Sequence, residues 1–138
     1  MDPIQARLFE PAIAAHAGAA LIALLLGALV LAMRKGTPAH RLAGRGWALA
    51  MAATAASSFL IEASLLPLST PIGRFGPIHA LSLFTLWSLY AAIRAIRSGN
   101  VRAHRSNMLG AFAGLAIAGA FTMVPGRTLH AWTMAMLG

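Results

Sequence analysis

Four long apolar stretches alternate with short connections that contain glycine and proline. The stretches cover about 11–33, 38–66, 77–96 and 101–124. Because a helix needs about 20 apolar residues to cross the hydrocarbon layer of a membrane, each stretch predicts a membrane-spanning helix. Short connections make neighbouring helices antiparallel, so the pattern predicts an all-α, up-down-up-down four-helix bundle that forms a single domain. Residues 125–138 are predicted to form a tail at the membrane interface.

The composition agrees with a membrane protein and excludes several other classes. Hydrophobic residues make up 59% of the 138 residues and charged residues only 10%, whereas a soluble domain has about a quarter of its residues charged. The chain has no cysteine, which excludes disulfides, thiolate metal sites and cysteine nucleophiles. With three carboxylates and no His-Glu-x-x-His pattern, a zinc hydrolase or a calcium site is not expected.

The net charge of +8 is distributed unevenly along the chain. Eight of the eleven basic residues lie in or beside the first and third connections, which predicts that these connections face the inside and both termini the outside. The charge therefore predicts contact with anionic lipid headgroups and not with nucleic acid. The eight are Arg34, Lys35, Arg41, Arg45, Arg94, Arg97, Arg102 and Arg105, and the other three are Arg7, Arg74 and Arg127.

The segments around these two connections resemble each other. Residues 34–41 read RKGTPAHR and residues 97–105 read RSGNVRAHR, which is one residue longer. His16 precedes His40 by 24 residues and His79 precedes His104 by 25, and the extra residue is the same insertion. The pattern predicts two similar helical hairpins, each with two histidines at matching places. Chance similarity between two arginine-rich loops is the alternative.

Four histidines fall at two predicted depths. His16 and His79 lie near the outer ends of spans one and three, and His40 and His104 lie in the first turns of spans two and four. At 1.5 Å per residue the two levels are about 20 Å apart, and each level offers a pair of imidazoles on diagonal helices. Such pairs predict two bis-histidine haems, which favour electron transfer. The predicted partners of the haem propionates are Arg41, Arg45 and Arg105 inside, and Arg74 and Arg127 outside.

Several of these residues also have a simpler interpretation. A histidine at a helix end is often a headgroup contact, and this interpretation applies above all to His40 and His104, which lie in His-Arg pairs. Small residues near the histidines allow either close helix packing or a slot for a macrocycle. Glu62 is a proton donor or acceptor beside an outer quinone pocket, an ion-pair partner of Arg74 or Arg127, or a side chain that snorkels to the interface.

The same segments carry a resemblance to a known family. FGPIHALSLFTL at 75–86, GNVRAHRSNM at 99–108 and AGAFTMVPGR at 118–127, together with KGTPAHR at 35–41 and GRGW at 44–47, resemble the bacterial membrane family called domain of unknown function 2306. The resemblance covers nearly the whole chain. It implies a four-span integral membrane protein and no assigned activity. The similarity to two-haem b-type four-helix cytochromes is looser and rests on architecture.

The sequence therefore predicts a small b-type cytochrome in a bacterial inner membrane, with periplasmic N- and C-termini. It would carry two b haems and transfer electrons across the membrane, from or to a quinone or a redox partner protein. An electron-transfer protein or subunit is expected more than a stand-alone enzyme. The alternative is a cofactor-free accessory or assembly subunit of a larger membrane complex.

Overall fold

The computed structural model describes residues 11–61, 76–123 and Met134. Residues 11–61 and 76–123 form four α-helices and no strand: α1 (Pro11–Ala32), α2 (Pro38–Ser58), α3 (Pro77–Arg97) and α4 (Val101–Thr122). The four helices coincide with the four apolar stretches, and all but α2 end within two residues of the predicted limit. The all-α prediction is therefore confirmed for the described part of the chain.

Helix α2 ends earlier than its apolar stretch. The stretch was expected to continue to about Leu66, but α2 ends at Ser58. The N–H groups of the next three residues, 59–61, donate to carbonyls three residues back instead of four, which tightens and ends the helix. Hydropathy does not detect such an end, because it is made by local hydrogen bonds. Residues 62–66 lie outside the described residues.

The α1–α2 and α3–α4 connections are built in the same way. Each contains a glycine in the left-handed region, Gly36 with φ of 81° and Gly99 with φ of 77°, a conformation that other residues rarely adopt. A capping residue follows each glycine. The Thr37 hydroxyl accepts a hydrogen bond from the His40 N–H at 3.1 Å, and the Asn100 side chain accepts from an N–H of the next turn at 3.0 Å. This shared construction supports the predicted repeat of two hairpins.

The helices pack in the cyclic order α1, α2, α3, α4. Contacts are dense within each hairpin, fewer between α2 and α3, and sparsest between α1 and α4. Antiparallel packing brings the starts of α1 and α3 to one end, called the serine end after Ser57, Ser58 and Ser82. The starts of α2 and α4 form the other end, called the arginine end after Arg41, Arg45 and Arg105. Every histidine of the described residues lies toward one of these two ends.

The interior and exterior have inverted polarity compared with a soluble protein. Large apolar side chains face outward, with Leu25 63% exposed and Leu49 73% exposed, whereas Ser58 is completely buried and His79 is 4% exposed. Two helices, α1 with a mean hydropathy of 2.3 and α3 with 1.2, are long and apolar enough to cross a membrane. An apolar exterior around polar interior groups is the distribution that a lipid environment favours.

Candidate functional site

His16 joins α1 to α2 at the serine end. Its Nδ1 lies 3.1 Å from the Ser57 hydroxyl, and that hydroxyl lies 3.0 Å from the Thr54 carbonyl. Two arrangements satisfy these distances. Either the His16 Nδ1–H donates to the Ser57 hydroxyl, and Nε2 of the neutral ring carries the lone pair, or the hydroxyl donates to Nδ1 and Nε2 carries the proton. Only the first arrangement offers Nε2 as a metal ligand on the side of the ring opposite to Ser57.

His79 belongs to the same end and has a defined tautomer. It lies in the first turn of α3, where the Gly76 N–H donates to its Nδ1 at 3.0 Å. Nδ1 thus holds the lone pair and Nε2 the proton in the neutral ring. The ring also packs against Phe59, with centroids 5.5 Å apart. His16 and His79 therefore lie at the same end of the molecule but contact different partners, Ser57 and Gly76.

Hydroxyl groups lie buried between α2 and α3 at this end. Ser58 and Ser82 approach each other to 2.6 Å. Each also lies within hydrogen-bond distance of a carbonyl of its own helix, Ala55 for Ser58 at 2.7 Å and Ile78 for Ser82 at 2.9 Å. One hydroxyl therefore donates across the interface while the other donates to its own helix. Three more hydroxyls of these helices are buried, namely those of Thr54, Thr85 and Ser88.

The sequence analysis did not identify this hydroxyl cluster, although a signal was present. The polar positions recur every three or four residues, which places them on one face of each helix. On a helix predicted to face lipid, such a polar stripe indicates the interior side. The positions are 54, 57 and 58 on α2, and 79, 82, 85 and 88 on α3.

A small cavity lies among all four helices beside this cluster. Its volume is about 50 Å³, and its polar lining comes from His16, Thr54, Ser82 and Thr85. The remaining lining is apolar and includes Met51. The Thr85 side chain borders the cavity and is 7% exposed.

The arginine end holds His40 and His104, each half-buried in the first turn of its helix. His104 Nδ1 lies 3.1 Å from the Ala92 carbonyl, which can only accept, so Nδ1 carries the proton and Nε2 the lone pair. The Nδ1 atom of His40 is buried and has no hydrogen-bond partner in the described part of the chain. Three exposed guanidinium groups flank the two histidines, those of Arg41, Arg45 and Arg105.

A packed apolar layer separates the two ends. Trp47 and Phe112 lie with ring centroids 6.5 Å apart, and both rings press against the backbone of Gly27. Trp47 is 3% exposed, and its Nε1–H has no partner among the described residues. This layer ties α1 to α2 and α4 near the middle of the molecule.

The ring nitrogens of the histidines are suited to bind a haem iron, but the helices are packed too closely to hold the haem ring. In the ligating histidines of proteins, Nδ1–H commonly donates to a carbonyl while Nε2 binds the metal. His104 has this arrangement, and one of the two tautomers of His16 has its equivalent with a hydroxyl. His79 does not have it, because its lone pair is on Nδ1. The cavity beside His16 is about 50 Å³, whereas pockets for drug-sized ligands have roughly 300–1,000 Å³. A haem would therefore require the helices to separate.

Other predicted site residues lie outside the described residues. They include the carboxylate predicted to lie inside a span, the two arginines predicted to contact propionates on the outer side, and most of the predicted interfacial tail. These side chains are Glu62, Arg74 and Arg127, and His130 lies in the tail. Within 11–61 and 76–123, no three histidine or carboxylate side chains come together as a metal site.

The fold and the polarity of its surfaces define a helical membrane protein with polar groups inside. The sequence pattern of a family described as a predicted membrane protein (DUF2306) matches residues 13–136. Since this range covers nearly the whole chain, the protein belongs to that family, as the resemblance indicated. No curated protein and no solved structure matches the chain.

Proposed function

We propose that this protein is a four-span b-type cytochrome of a bacterial inner membrane, with both termini on the periplasmic side. One observation carries the proposal: each of the four helices contributes one interior histidine, two toward each end, inside an apolar exterior. Ionisable groups are costly within a membrane and usually serve a function there. Bundles of four helices build cofactor sites from side chains on facing helices.

The arginine end offers the better ligand pair. His104 presents Nε2 as a lone pair because the Ala92 carbonyl holds its Nδ1–H. The Nδ1 atom of His40 is buried and has no hydrogen-bond partner among the described residues. A neighbouring group of guanidinium side chains would neutralise the propionates of a haem held by this pair. These are Arg41, Arg45 and Arg105.

The serine end would need more rearrangement to hold the second haem. His16 presents Nε2 in the tautomer whose Nδ1–H donates to Ser57. His79 would have to give up its hydrogen bond with Gly76 before Nε2 could bind iron. The macrocycle would also need space that the cavity does not provide. Because contacts are sparsest between α1 and α4, separating these two helices would cost the least free energy.

A bound bis-histidine haem would supply one-electron redox chemistry at a six-coordinate iron, with no open position for oxygen. The protein would contribute the ligands, the cations near the propionates and an apolar layer around Trp47 that excludes water. We also propose that the protein exchanges electrons with a quinone or a redox partner protein, with Glu62 as a proton donor or acceptor. The basic connections would contact anionic lipids.

A second candidate is a cofactor-free accessory or assembly subunit of a larger membrane complex. One observation favours it: three of the four imidazoles already have protein hydrogen-bond partners, at Ser57, Gly76 and Ala92. In that case the histidines would hold the helices together, and the small residues on the helix faces would serve as protein contacts.

An absorption spectrum of the detergent-solubilised protein distinguishes the two candidates. The cytochrome should be red and show a reduced-minus-oxidised b-type spectrum, with haem quantified against protein. His104→Ala should lower the haem content by about one per chain. His130→Ala, which changes a histidine outside the two pairs, is the matched control and should not. A folded, colourless wild-type protein isolated from cells supplied with haem would contradict the proposal and leave the subunit interpretation.

A further inference from the structure

Two aromatic rings and a guanidinium group form an outward-facing strip on α3, toward the arginine end. Arg94, Tyr90 and Trp87 are separated by four and three residues, which places them on one face of the helix. Trp87 is 65% exposed, Tyr90 is 53% exposed and Arg94 is also exposed. Thr85 and Ala92, which are buried, lie on the opposite face of the helix. The three outward side chains are together called the aromatic strip.

The side chains of the aromatic strip contact one another. The Arg94 guanidinium lies over the Tyr90 ring, 6.0 Å from its centroid, and donates to the Tyr90 hydroxyl at 3.5 Å. The Tyr90 and Trp87 rings lie with their centroids 5.8 Å apart. Because the hydroxyl accepts in its contact with Arg94, its own hydrogen is available to another acceptor. From the arginine end inward, the strip therefore presents a cation, a hydroxyl donor and an apolar ring.

The direction of the Arg94 side chain indicates an anion at the surface of the protein. An arginine that snorkels reaches toward water, whereas Arg94 reaches one turn back toward the middle of the span, over Tyr90. No carboxylate is present within 11–61 and 76–123 to pair with it, since all three carboxylates of the chain lie elsewhere. A second copy of the chain in the same orientation would bring basic residues to the same depth, and like charges repel.

We infer that the aromatic strip binds one anionic phospholipid, with the phosphate at Arg94, the glycerol ester at the Tyr90 hydroxyl and an acyl chain along Trp87. Four residues of helix rise about 6 Å, so the hydroxyl lies deeper than the guanidinium, as an ester lies deeper than a phosphate. A guanidinium binds phosphate through paired hydrogen bonds, and Tyr and Trp suit a boundary between polar and apolar groups. The inference rests on the membrane insertion and lipid contact of the proposed function, but not on the haem.

The test is the quenching of Trp87 fluorescence by lipids with brominated acyl chains, in full-length protein reconstituted in phosphatidylcholine vesicles. The Trp87 signal is the difference between the protein and its Trp87→Phe variant. Brominated phosphatidylglycerol should quench it with about fivefold higher apparent affinity than the same fraction of brominated phosphatidylcholine, the factor that one basic residue contributes at an anionic surface. Equal quenching by the two lipids would overturn the inference.

Two variants separate a site from general attraction to an anionic membrane. Arg94→Gln should abolish the preference for phosphatidylglycerol. Arg34→Gln is the matched control and should retain it: the variant loses the same charge from an exposed position at the same end, beside α1, which lies diagonal to α3. An equal loss of preference in both variants would contradict a site at the aromatic strip.

Inorganic phosphate distinguishes a lipid site from a simple anion site. Because the acyl chain contributes to binding, phosphate should not restore Trp87 fluorescence relative to sodium chloride at the same ionic strength. Restoration by phosphate would overturn the assignment to a lipid.

The lipid site and the cytochrome can fail separately. A colourless protein that shows the fivefold preference would refute the cytochrome and leave the lipid site in place, and a red protein without the preference would do the reverse. A protein in which neither brominated lipid quenches Trp87 would refute both the proposed membrane insertion and the lipid site.

Discussion

Gly27 is the residue at which three helices come closest in the described structure. A Cβ atom added there would lie 2.5 Å from a ring carbon of Phe112 and 2.6 Å from Nε1 of Trp47. Real Cβ atoms do not approach other atoms so closely, so the two rings would have to move. The two rings can therefore pack in the apolar layer between the two ends only because Gly27 has no side chain.

Gly27→Ala should lower the stability by about 1–3 kcal/mol, the usual cost of overpacking a tightly packed site. Gly18→Ala is the matched control in the same helix, since a Cβ there meets no atom within 4 Å. It should be neutral or raise the stability by about 0.5–1 kcal/mol, because alanine is the better helix former. The measurement is thermal or denaturant unfolding in detergent. Equal effects of the two changes would refute the close contact.

At the residue scale, the sequence identifies the histidines but not their hydrogen bonds. Histidine inside an apolar stretch is unusual, so His16 and His79 stand out in the sequence. Thr85 does not, because serine and threonine are common in membrane helices and their partners depend on which helix lies opposite. The tautomer of His79 is decided by the Gly76 N–H, which only the geometry of the helix start reveals.

At the scale of helices and connections, the two hairpin connections are the most regular feature. Gly36 and Gly99 both adopt a positive φ, and a Cβ on either would meet no atom within 4 Å. Any cost of a substitution there therefore comes from the backbone alone. Helix starts are well predicted for the same local reason, since Thr37 with Pro38 and Asn100 with Val101 are cap and first-turn residues.

Gly36→Ala and Gly99→Ala should each destabilise the protein by about 1–2 kcal/mol, the cost of left-handed backbone for an L-residue. The two costs should be similar if the connections are copies of one design. Gly46→Ala, in the right-handed helix α2 and also free of contacts, is the control and should not destabilise. Unfolding midpoints measure all three. Unequal losses in the two connections would argue against their equivalence.

Helix ends are less predictable than helix starts. At the end of α2, the hydroxyls of Ser57 and Ser58 lie within hydrogen-bond distance of carbonyls three residues back. Such bonds compete with continuation of the helix. Hydropathy treats this region as part of a longer span that continues to about Leu66, whereas α2 ends at Ser58.

At the scale of the whole molecule, the distribution of basic residues predicts the orientation in the membrane. The arginine end collects most of them, and for this reason the proposed orientation has that end on the cytoplasmic side. Apolar patterning predicts the number and order of helices, since each must bury its polar face against a neighbour. It does not predict which polar residues meet at the centre, because that depends on the rotation of each helix.

The chain has no cysteine, so single cysteines report topology cleanly. Ser98→Cys, at an exposed position of the α3–α4 connection, should resist a membrane-impermeant maleimide in intact spheroplasts and react after detergent is added. Asp2→Cys, near the N-terminus, should react in both conditions. The opposite pattern would place the arginine end outside and reverse the proposed orientation.

The unequal contacts between helices have a consequence for biogenesis. Each hairpin makes most of its contacts internally, and the two hairpins meet mainly along α2 and α3. Each hairpin is therefore expected to insert into the membrane as an independent unit. Two separately synthesised halves, divided within 62–75, would then find each other in the bilayer. A gene that arose by tandem duplication of an ancestral half, once a symmetric pair of identical chains, would leave this kind of architecture.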